Sequence, residues 1–366
     1  MQNKNVKIAI VAYNLEVGGL STVIQSLFYM LDEVKGVDIE LLFLDNSTPI
    51  TFTDSYINFT NTAQNTALSL GKIKKYIRFK KYLNRAKFDY IIDQRYRINV
   101  ASEIVFTKFL YPKTKIIINV HSSKIDTYLP PNKWITKWLY SKIFKVVCCS
   151  KGVEGLVKNK YGLKNTLNIY NPLASEYRTG NSGSFDFKYL LSLGRVEPLK
   201  QIDKLIESYS MSNLPNKNIK LVIVGDGSHL EFCKNLAKQK NIADQVIFTG
   251  FVSNPNDYIK NALFSVLCSK YEGFPMVLIE SLTCGIPVVS FNLNTGPNEI
   301  IIPNKNGILV KNQDFNALTI AMNKMESDTM FYIKCKEHAR SSVLNFSMEN
   351  VKQDWLDLLN IDKEWN

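Results

Sequence analysis

Two glutamates stand eight residues apart around a Gly-Phe-Pro turn in the second half of this 366-residue chain. Glu272 precedes the turn, and Glu280 follows it within the apolar run 276–282, where an unpaired carboxylate would be costly. Proline at the turn suits the start of a helix, and Gly285 suits its end. Such a helix offers backbone N–H groups to an anion or hydroxyl, beside carboxylates that accept hydrogen bonds from sugar hydroxyls. A surface helix with ordinary acidic residues is the alternative.

Two cations follow a strand-like segment upstream of this turn. Arg195 comes directly after Gly194, where the predicted strand 189–194 ends, and Lys200 lies five residues after the arginine. Arginine offers a planar fork of donors and lysine a mobile point charge, a pair suited to a diphosphate. A surface salt bridge is the alternative, although the position at a strand end favours ligand binding.

Other strand ends in the same half carry weaker signals. Gly225 and Gly227 turn the chain after one strand, while Gly250 and Phe251 follow the next, where a base could approach the backbone. A plain tight turn explains most of these glycines. Glu299 stands at a later junction between strand and helix, and an acid that stabilises a helix start is its equal alternative.

Strand-like and helix-like segments alternate twice along the chain. Continuous Val, Ile and Leu runs predict strands that are buried on both faces, in parallel sheets covered by helices. We therefore predict an α/β protein of two doubly wound, Rossmann-like domains that face each other across a cleft, with ligands at the carboxyl ends of the strands. The predicted strands are 7–13, 38–44, 88–93, 115–120, 145–150, 167–171, 189–194, 220–225, 245–250, 263–269, 287–292 and 307–310.

A break in this alternation predicts where the domains meet. Residues 177–187 are rich in Gly, Ser and Asn, as a linker is. The segment separates a first domain, 1–176, from a second domain, 188–345, in agreement with the usual size of domains. Residues 346–366 predict a C-terminal helix that packs back toward the first domain.

The net charge of +12 belongs entirely to the first half of the chain. Residues 1–180 contain 26 Lys and Arg against 13 Asp and Glu, whereas the remainder has 19 against 20. The segment 72–87 holds eight basic residues and no acid, which predicts a basic amphipathic helix. Such a helix can lie on an anionic lipid leaflet, each basic side chain adding about 1 kcal/mol. A solvated helix packed on the domain is the equal alternative, and without a recognised motif nucleic acid is not expected. The apolar positions at helical spacing are Ile73, Tyr76, Ile77 and Leu83.

Several other classes of protein do not fit this composition. No run of 18 apolar residues is present, and the amino-terminal residues lack the separate apolar region of a signal peptide. None of the six cysteines forms a Cys-x-x-Cys pair, which favours buried, reduced thiols in a cytoplasmic protein.

The segment 269–291, SKYEGFPMVLIESLTCGIPVVSF, resembles the Glu-x7-Glu signature of glycosyltransferase family 4, the retaining enzymes with the GT-B fold. The resemblance covers the whole second domain and is thinner in the first. Its further matches are Gly194-Arg195 with Lys200, 224–227, 296–301, Asn306-Gly307, Gly18-Gly19, His121, Ser150 and Asn171-Pro172.

The resemblance implies roles for individual residues. Arg195 and Lys200 neutralise the donor diphosphate, and Glu280 holds the ribose. Glu272 holds the donor sugar with the amides of the turn. His121, the only one of three histidines at a predicted strand end, contacts the sugar, although a lone histidine is more often structural. The implied catalytic residues are Glu272, His121, Arg195 and Lys200, and the implied donor-binding residues are Gly18, Gly19, Gly194, Gly225, Gly227, Gly250, Phe251, Gly273, Phe274, Pro275, Glu280 and Glu299.

The resemblance also implies a reaction. A hexose or N-acetylhexosamine passes from a UDP-sugar to a lipid-linked oligosaccharide or surface glycan, such as O-antigen, capsule or lipopolysaccharide, without a metal or other cofactor. The first domain binds the acceptor, and the basic segment 72–87 holds the protein on the cytoplasmic face of the plasma membrane. A nucleotide-sugar epimerase, a phosphorylase and a non-catalytic GT-B partner protein are the alternatives.

Overall fold

The computed structural model describes residues 5–15, 19–45, 53, 55–59, 68–173 and 185–361. The chain forms two compact units, one of Met1–Pro172 with Met348–Asn366 and the other of Leu173–Ser347. Residues 177–184 of the predicted linker lie outside the described residues, as does the predicted site residue Gly18.

Seven parallel strands form the sheet of the first unit, in the order β3-β2-β1-β4-β5-β6-β7. Ile8 of β1 pairs with Ile39 of β2 on one side and with Tyr90 of β4 on the other. The apolar strand residues Ile8 to Val11 are fully buried, as expected for a sheet covered on both faces. The strands are β1 Val6–Ala12, β2 Val37–Phe43, β3 Tyr56–Asn58, β4 Tyr90–Asp93, β5 Lys115–Val120, β6 Lys145–Cys148 and β7 Thr166–Asn168.

The helices of the first unit cover this sheet, and the last of them comes from the end of the chain. Trp355 and Leu359 of α13 lie in the same hydrophobic cluster as Ile24 and Phe28 of α1. The helices are α1 Gly19–Asp32, α2 Leu68–Ala86, α3 Val100–Val105, α4 Lys133–Tyr140, α5 Lys151–Tyr161 and α13 Met348–Leu359, with a π-helix at Phe106–Leu110 and a 3-10 helix at Ile125–Thr127.

The predicted basic helix is present as α2, but its apolar residues divide between two faces. Tyr76, Phe79 and Leu83 turn inward, and the last two are fully buried, whereas Ile73 and Ile77 are 55% and 49% exposed. The prediction that the isoleucines share a face with Tyr76 and Leu83 is therefore wrong. Residues three and four apart lie on the same face of a helix, so Tyr76, Phe79 and Leu83 form the buried face. The two isoleucines lie to one side of that face.

Six parallel strands form the sheet of the second unit, in the order β10-β9-β8-β11-β12-β13. The central strand β8 is apolar, and Tyr189 to Leu191 have no exposed surface. The strands are β8 Tyr189–Leu193, β9 Lys220–Val224, β10 Val246–Gly250, β11 Ser265–Leu267, β12 Val288–Asn292 and β13 Gly307–Lys311.

Helices also cover the second sheet, and α9 is buried almost all round, as its composition demands. Met276, Leu278, Ile279 and Leu282 of this helix are buried, so that its polar residues are enclosed as well. The helices are α6 Ile202–Ser210, α7 Leu230–Gln239, α8 Asn256–Lys260, α9 Met276–Thr283, α10 Pro297–Ile300, α11 Phe315–Ser327 and α12 Thr329–Ala339, and the 3-10 helices are Pro198–Lys200, Pro215–Lys217, Ala243–Gln245 and Ser341–Phe346.

The predicted fold class is confirmed, and all twelve predicted strands are present with somewhat different ends. The edge strand β3 was not predicted, because its three half-buried residues form no apolar run. All six cysteines are buried and none is in a disulfide, as expected. Within the described residues, no helix is long and apolar enough to cross a bilayer.

Candidate functional site

Each sheet has a point where the order of its strands reverses, between β1 and β4 in the first unit and between β8 and β11 in the second. Loops leave the carboxyl ends of two such strands in opposite directions, and ligands of open α/β sheets bind in the crevice between them. In the second unit, these loops are 194–201 and 268–275. They carry three of the predicted catalytic residues, Arg195, Lys200 and Glu272.

Lys200 and Glu272 meet at this crevice although 72 positions separate them in the sequence. Lys200 Nζ lies 2.6 Å from Glu272 Oε1. The two loops are also joined through their backbones, since the Lys270 N–H donates to the Leu199 carbonyl oxygen at 2.9 Å. The structure therefore brings Lys200, which is predicted to bind phosphate, into direct contact with Glu272, which is predicted to bind the sugar.

The ion pair of Lys200 with Glu272 remains open to solvent. The two side chains are 21% and 12% exposed, so a ligand can reach both of them. Partly exposed pairs of this kind contribute about 1 kcal/mol or less to stability. Arg195 lies on the same loop with an exposed side chain, a second cation on this edge of the sheet.

The Gly-Phe-Pro turn after Glu272 is locked by the loop that follows β12. Thr295 Oγ1 donates a hydrogen bond to the Glu272 carbonyl oxygen at 2.5 Å. Gly296 has a φ of +85°, and a Cβ there would lie 2.6 Å from Pro275 Cδ and 3.0 Å from the Gly273 carbonyl oxygen. Only glycine fits this close approach, so the two loops fix each other at the amino end of α9.

Phe274 and Phe251, both predicted to contact the donor, have opposite environments. Phe274 is buried, and its ring packs edge-on against Phe346 with centroids 5.2 Å apart. The buried ring anchors the turn, so the backbone of Phe274, and not its side chain, is suited to contact a ligand. Phe251 is 57% exposed and follows Gly250 at the end of β10, so its ring is accessible for stacking.

Glu280 is the fifth residue of α9, and only 7% of it is exposed. A buried carboxylate needs polar partners. Its neighbour Ser281 faces the sheet, where the Ser281 and Ser265 hydroxyl oxygens lie 2.8 Å apart. Glu280, the residue predicted to bind the ribose, thus lies on a helix that is packed in the core.

Gly225 and Gly227 allow the loop after β9 to pack on the loop after β8. A Cβ on Gly225 would lie 1.9 Å from the Gly194 carbonyl oxygen, and one on Gly227 would lie 2.3 Å from the Val196 carbonyl oxygen. The Val196 N–H also donates to the Asp226 carbonyl oxygen at 2.9 Å. Packing between loops therefore accounts for both glycines, and through it the loop that carries Arg195 is held in place.

Glu299 lies half-buried in the short helix α10, beside the same edge of the sheet. The turn that follows α10 is fixed by Asn306, which is fully buried. Its side chain accepts a hydrogen bond from the Ile302 N–H at 2.8 Å and donates to the Ile300 carbonyl oxygen at 3.1 Å. Asn306, part of the family resemblance, thus has a structural role.

His121 follows β5 in the first unit and is held by Gln94, which follows β4. His121 Nε2 and Gln94 Oε1 are 2.5 Å apart. Burial lowers the pKa of His121 to about 4, against a smaller opposing effect of Asn171, so the ring is neutral at neutral pH. Among the described residues, Gln94 Nε2 and Asn119 Oδ1 are buried without a hydrogen-bond partner. Unsatisfied polar atoms beside a neutral imidazole are suited to a polyhydroxylated ligand.

Sequence reasoning missed two buried ion pairs, both of which are formed by Arg95, the residue after Gln94. Arg95 Nη2 lies 2.7 Å from Asp93 Oδ2, and Arg95 Nη1 lies 3.4 Å from Glu103 Oε1. Burial lowers the pKa of Arg95, but Asp93 and its other neighbours raise it well above the ordinary value, so the guanidinium stays charged. Its charged centre also lies 3.5 Å from the centre of the Phe106 ring. Charged residues at the end of the apolar strand 88–93 were the available signal.

Gly19 is the other predicted site residue of the first unit that the structure describes. Gly19 is the first residue of α1, with nothing within 4 Å of an added Cβ, so packing does not explain why this residue is a glycine.

Among the described residues, no group of three His, Cys, Asp or Glu side chains is arranged to hold a metal ion.

Residues 180–342 match the protein family described as Glycosyl transferases group 1. This part of the chain is a group 1 glycosyltransferase domain. It includes all the candidate residues of the second unit, from Gly194 to Glu299.

Relatives extend the similarity of the group 1 domain toward the whole chain. An N-acetylgalactosamine-N,N'-diacetylbacillosaminyl-diphospho-undecaprenol 4-alpha-N-acetylgalactosaminyltransferase of Campylobacter jejuni is 26% identical over 369 residues, which cover 96% of this chain and 99% of the relative. The lipopolysaccharide 1,6-galactosyltransferase of Escherichia coli is 30% identical over 188 residues, 48% of this chain and 50% of the relative.

Solved structures with a similar fold cover nearly the whole chain, including the part outside the group 1 domain. The lipopolysaccharide outer core galactosyltransferase WaaB has a TM-score of 0.73 at 20% identity, covering 97% of this chain and 99% of its own. HepE of Anabaena, solved in complex with UDP, has a TM-score of 0.78 at 16% identity, covering 97% of this chain and 100% of its own.

Proposed function

We propose that the protein is a retaining glycosyltransferase that moves a hexose or N-acetylhexosamine from a UDP-sugar to a lipid-linked oligosaccharide or surface glycan. The observation that carries the proposal is the contact between Lys200 and Glu272, at the point where the second sheet reverses its strand order. A cation, a carboxylate and the amino end of the buried helix α9 converge there, which are groups that bind a diphosphate and a sugar.

The ion pair supports a specific order of contacts. When the donor enters, Lys200 exchanges the Glu272 carboxylate for a phosphate oxygen, with Arg195 as the second cation. The exchange frees the oxygens of Glu272 for hydroxyls of the donor sugar. Because the pair is partly exposed, little stability is lost in the exchange.

Glu280 takes the ribose hydroxyls of the nucleotide in this proposal. Its position inside a buried helix holds the carboxylate in one place before the ligand arrives. Carboxylate oxygens can accept both hydroxyl hydrogens of a ribose. The ring of Phe251 and the backbone at Gly250 are left for the base.

The chemistry needs charge stabilisation more than a protein nucleophile. The bond between the anomeric carbon and the diphosphate oxygen breaks, and its electron pair stays with the phosphate. The oxygen of an acceptor hydroxyl forms the new bond to the anomeric carbon, and its proton passes to the departing phosphate. Cations fixed beside the leaving phosphate stabilise the charge that grows on it in the transition state. No metal or other cofactor enters this proposal.

The acceptor side of the proposal draws on the relatives and on the charge of the first unit. Two relatives are described as acting on an undecaprenol diphosphate-linked sugar and on lipopolysaccharide. An acceptor of that kind sits in an anionic leaflet, which suits the basic first half of the chain. We therefore place the protein peripherally on the cytoplasmic face of the membrane, with the basic face of α2 toward the lipid.

Protection against thermal unfolding by a panel of nucleotides and nucleotide sugars tests the donor. A ligand at a hundred times its Kd stabilises a protein by about 2.7 kcal/mol. We expect UDP and one or two UDP-sugars to raise the melting temperature, and other nucleotides to raise it less. A panel in which no nucleotide or nucleotide sugar raises it would contradict the proposed function.

A further inference from the structure

Large aromatic side chains point to solvent from two neighbouring elements of the first unit. Trp134 and Trp138 of α4 are 77% and 55% exposed, and Phe109 of the π-helix is 61% exposed. Lys108 joins the two elements, since its Nζ donates to the Trp138 carbonyl oxygen at 3.1 Å and lies 4.5 Å from the centre of the Trp138 ring. We call this the indole surface; its residues are Lys108, Phe109, Lys133, Trp134, Lys137 and Trp138.

The aromatic side chains of the indole surface are not core residues. The opposite faces of the same elements already supply the core, through Phe106 and Leu110 of the π-helix and Leu139 and Tyr140 of α4. Trp134 and Trp138 stand four residues apart, one turn along the outward face of α4. Large apolar side chains therefore lie on both faces of α4, and the tryptophan pair on the outer face indicates a surface that meets something other than water.

Lysines accompany these rings in a segment that contains few acids. Lys108, Lys133 and Lys137 are exposed. Residues 104–145 contain eight lysines and a single acid, Asp126, whose carboxylate is engaged by Lys160 at 2.5 Å. The indole surface thus combines apolar rings with an excess of positive charge along this segment, which suits a partner that is apolar below an anionic layer.

We propose that the indole surface docks on the headgroup region of an anionic lipid bilayer. Tryptophan is enriched where a membrane meets water, and lysines beside it reach the phosphates of the headgroups. A protein partner fits less well, because lysine is depleted in the cores of protein interfaces. The surface uses other residues than the basic segment 72–87, and it adds insertion of rings to the electrostatic contact proposed for α2.

The indole surface is linked to α2 through the π-helix. The Tyr76 ring of α2 packs edge-on against Phe106 with centroids 5.3 Å apart, and Phe79 lies 6.1 Å from the same ring. The exposed isoleucines of α2, Ile73 and Ile77, therefore belong to an element in direct contact with the one that carries Phe109. The proposed lipid contact thus extends over three elements of one unit, α2, the π-helix and α4, of which the π-helix contacts both of the others.

Binding of the full chain to vesicles tests the proposal. Vesicles of phosphatidylcholine containing about one third phosphatidylglycerol are compared with vesicles of phosphatidylcholine alone, at low salt. We expect tight binding to the anionic vesicles and a blue shift of tryptophan emission. The Trp134→Ser/Trp138→Ser variant should bind about 100-fold more weakly, since each indole that buries roughly 60 Å² contributes about tenfold. The Lys133→Gln/Lys137→Gln variant should lose about 25-fold, or about fivefold per lysine.

Matched controls separate lipid docking from general changes in the surface. Met330 in the second unit is 77% exposed, like Trp134, and Met330→Ser should leave vesicle binding unchanged. All variants should retain the melting temperature and its increase with UDP, so a failure of lipid binding is distinguished from a failure of the proposed function. Undiminished vesicle binding by the tryptophan variant would overturn the proposal. A dimer that becomes a monomer in this variant, with vesicle binding unchanged, would identify a contact between protein copies instead.

Discussion

Replacement of Lys200 by methionine separates ligand binding from stability. In the free protein, the side chain is in a partly exposed pair worth about 1 kcal/mol or less, so the melting temperature should fall by only about 2–4 °C. In the complex, a charge-assisted hydrogen bond to phosphate contributes about 1.5–3 kcal/mol. Subtraction of about 1 kcal/mol for the lost pair leaves about 0.5–2 kcal/mol, so the Kd for UDP, measured by calorimetry, should rise about 2- to 30-fold.

The partner variant Glu272→Gln should change UDP binding in the opposite direction. It removes the carboxylate that competes for Lys200, so UDP should bind up to about fivefold more tightly while sugar transfer is lost. Lys217→Met is the matched control: Lys217 Nζ lies 2.5 Å from Glu326 Oε2 in a similar pair, but it precedes β9, away from the carboxyl ends of the strands. Unchanged UDP affinity in Lys200→Met, or equal effects of Lys200→Met and Lys217→Met, would refute the exchange of partners.

Three further predictions concern other parts of the two units. Glu280→Gln should raise the Kd for UDP at least about tenfold and leave the melting temperature within a few degrees, because the amide keeps the shape of the buried side chain; failure to fold would show a structural residue instead. Gly225→Ala should destabilise the protein by about 2–3 kcal/mol in urea, since φ is +144° and the new Cβ would meet the Gly194 carbonyl oxygen, whereas Gly155→Ala in α5 has open space and should not destabilise. His121, with a pKa of about 4 in the folded protein, should lower stability as pH falls from about 6.5 toward 4, because the unfolded chain takes up the proton first. Urea unfolding of His121→Asn across this range should lack that component, and an identical pH dependence in the two proteins would contradict it.

The fold was predictable where the strands are continuous apolar runs. Most residues of buried strands such as β1 and β5 are apolar, so their sequences identify these strands without tertiary information. β3 escaped prediction because it is held by backbone pairing with β2 at the edge of the sheet, and pairing leaves no pattern in three residues. The buried face of α2 was predicted wrongly for a related reason. Phe79 lies on that face because it packs against Phe106 of the π-helix, and this tertiary contact cannot be read from the sequence of α2.

Residue types at strand ends predicted which side chains would line the second crevice, but not their pairing. That Lys200 contacts Glu272 depends on β8 and β11 being neighbours, which is a property of sheet order. The sequence also could not separate glycines that serve a ligand from glycines that serve packing, because the close neighbour of Gly225 is the backbone of Gly194. The buried Arg95 was missed because its partners come from separate elements, Asp93 from β4 and Glu103 from α3.

Sugar transfer itself is the most direct test of the proposed activity. The full chain is incubated with the UDP-sugar that protects it best and with an undecaprenyl diphosphate-linked saccharide in anionic vesicles. We predict that the mass of the acceptor increases by one sugar for each UDP released, and that Lys200→Met slows both together. UDP release that is independent of the acceptor, or no turnover with any UDP-sugar, would contradict the assignment.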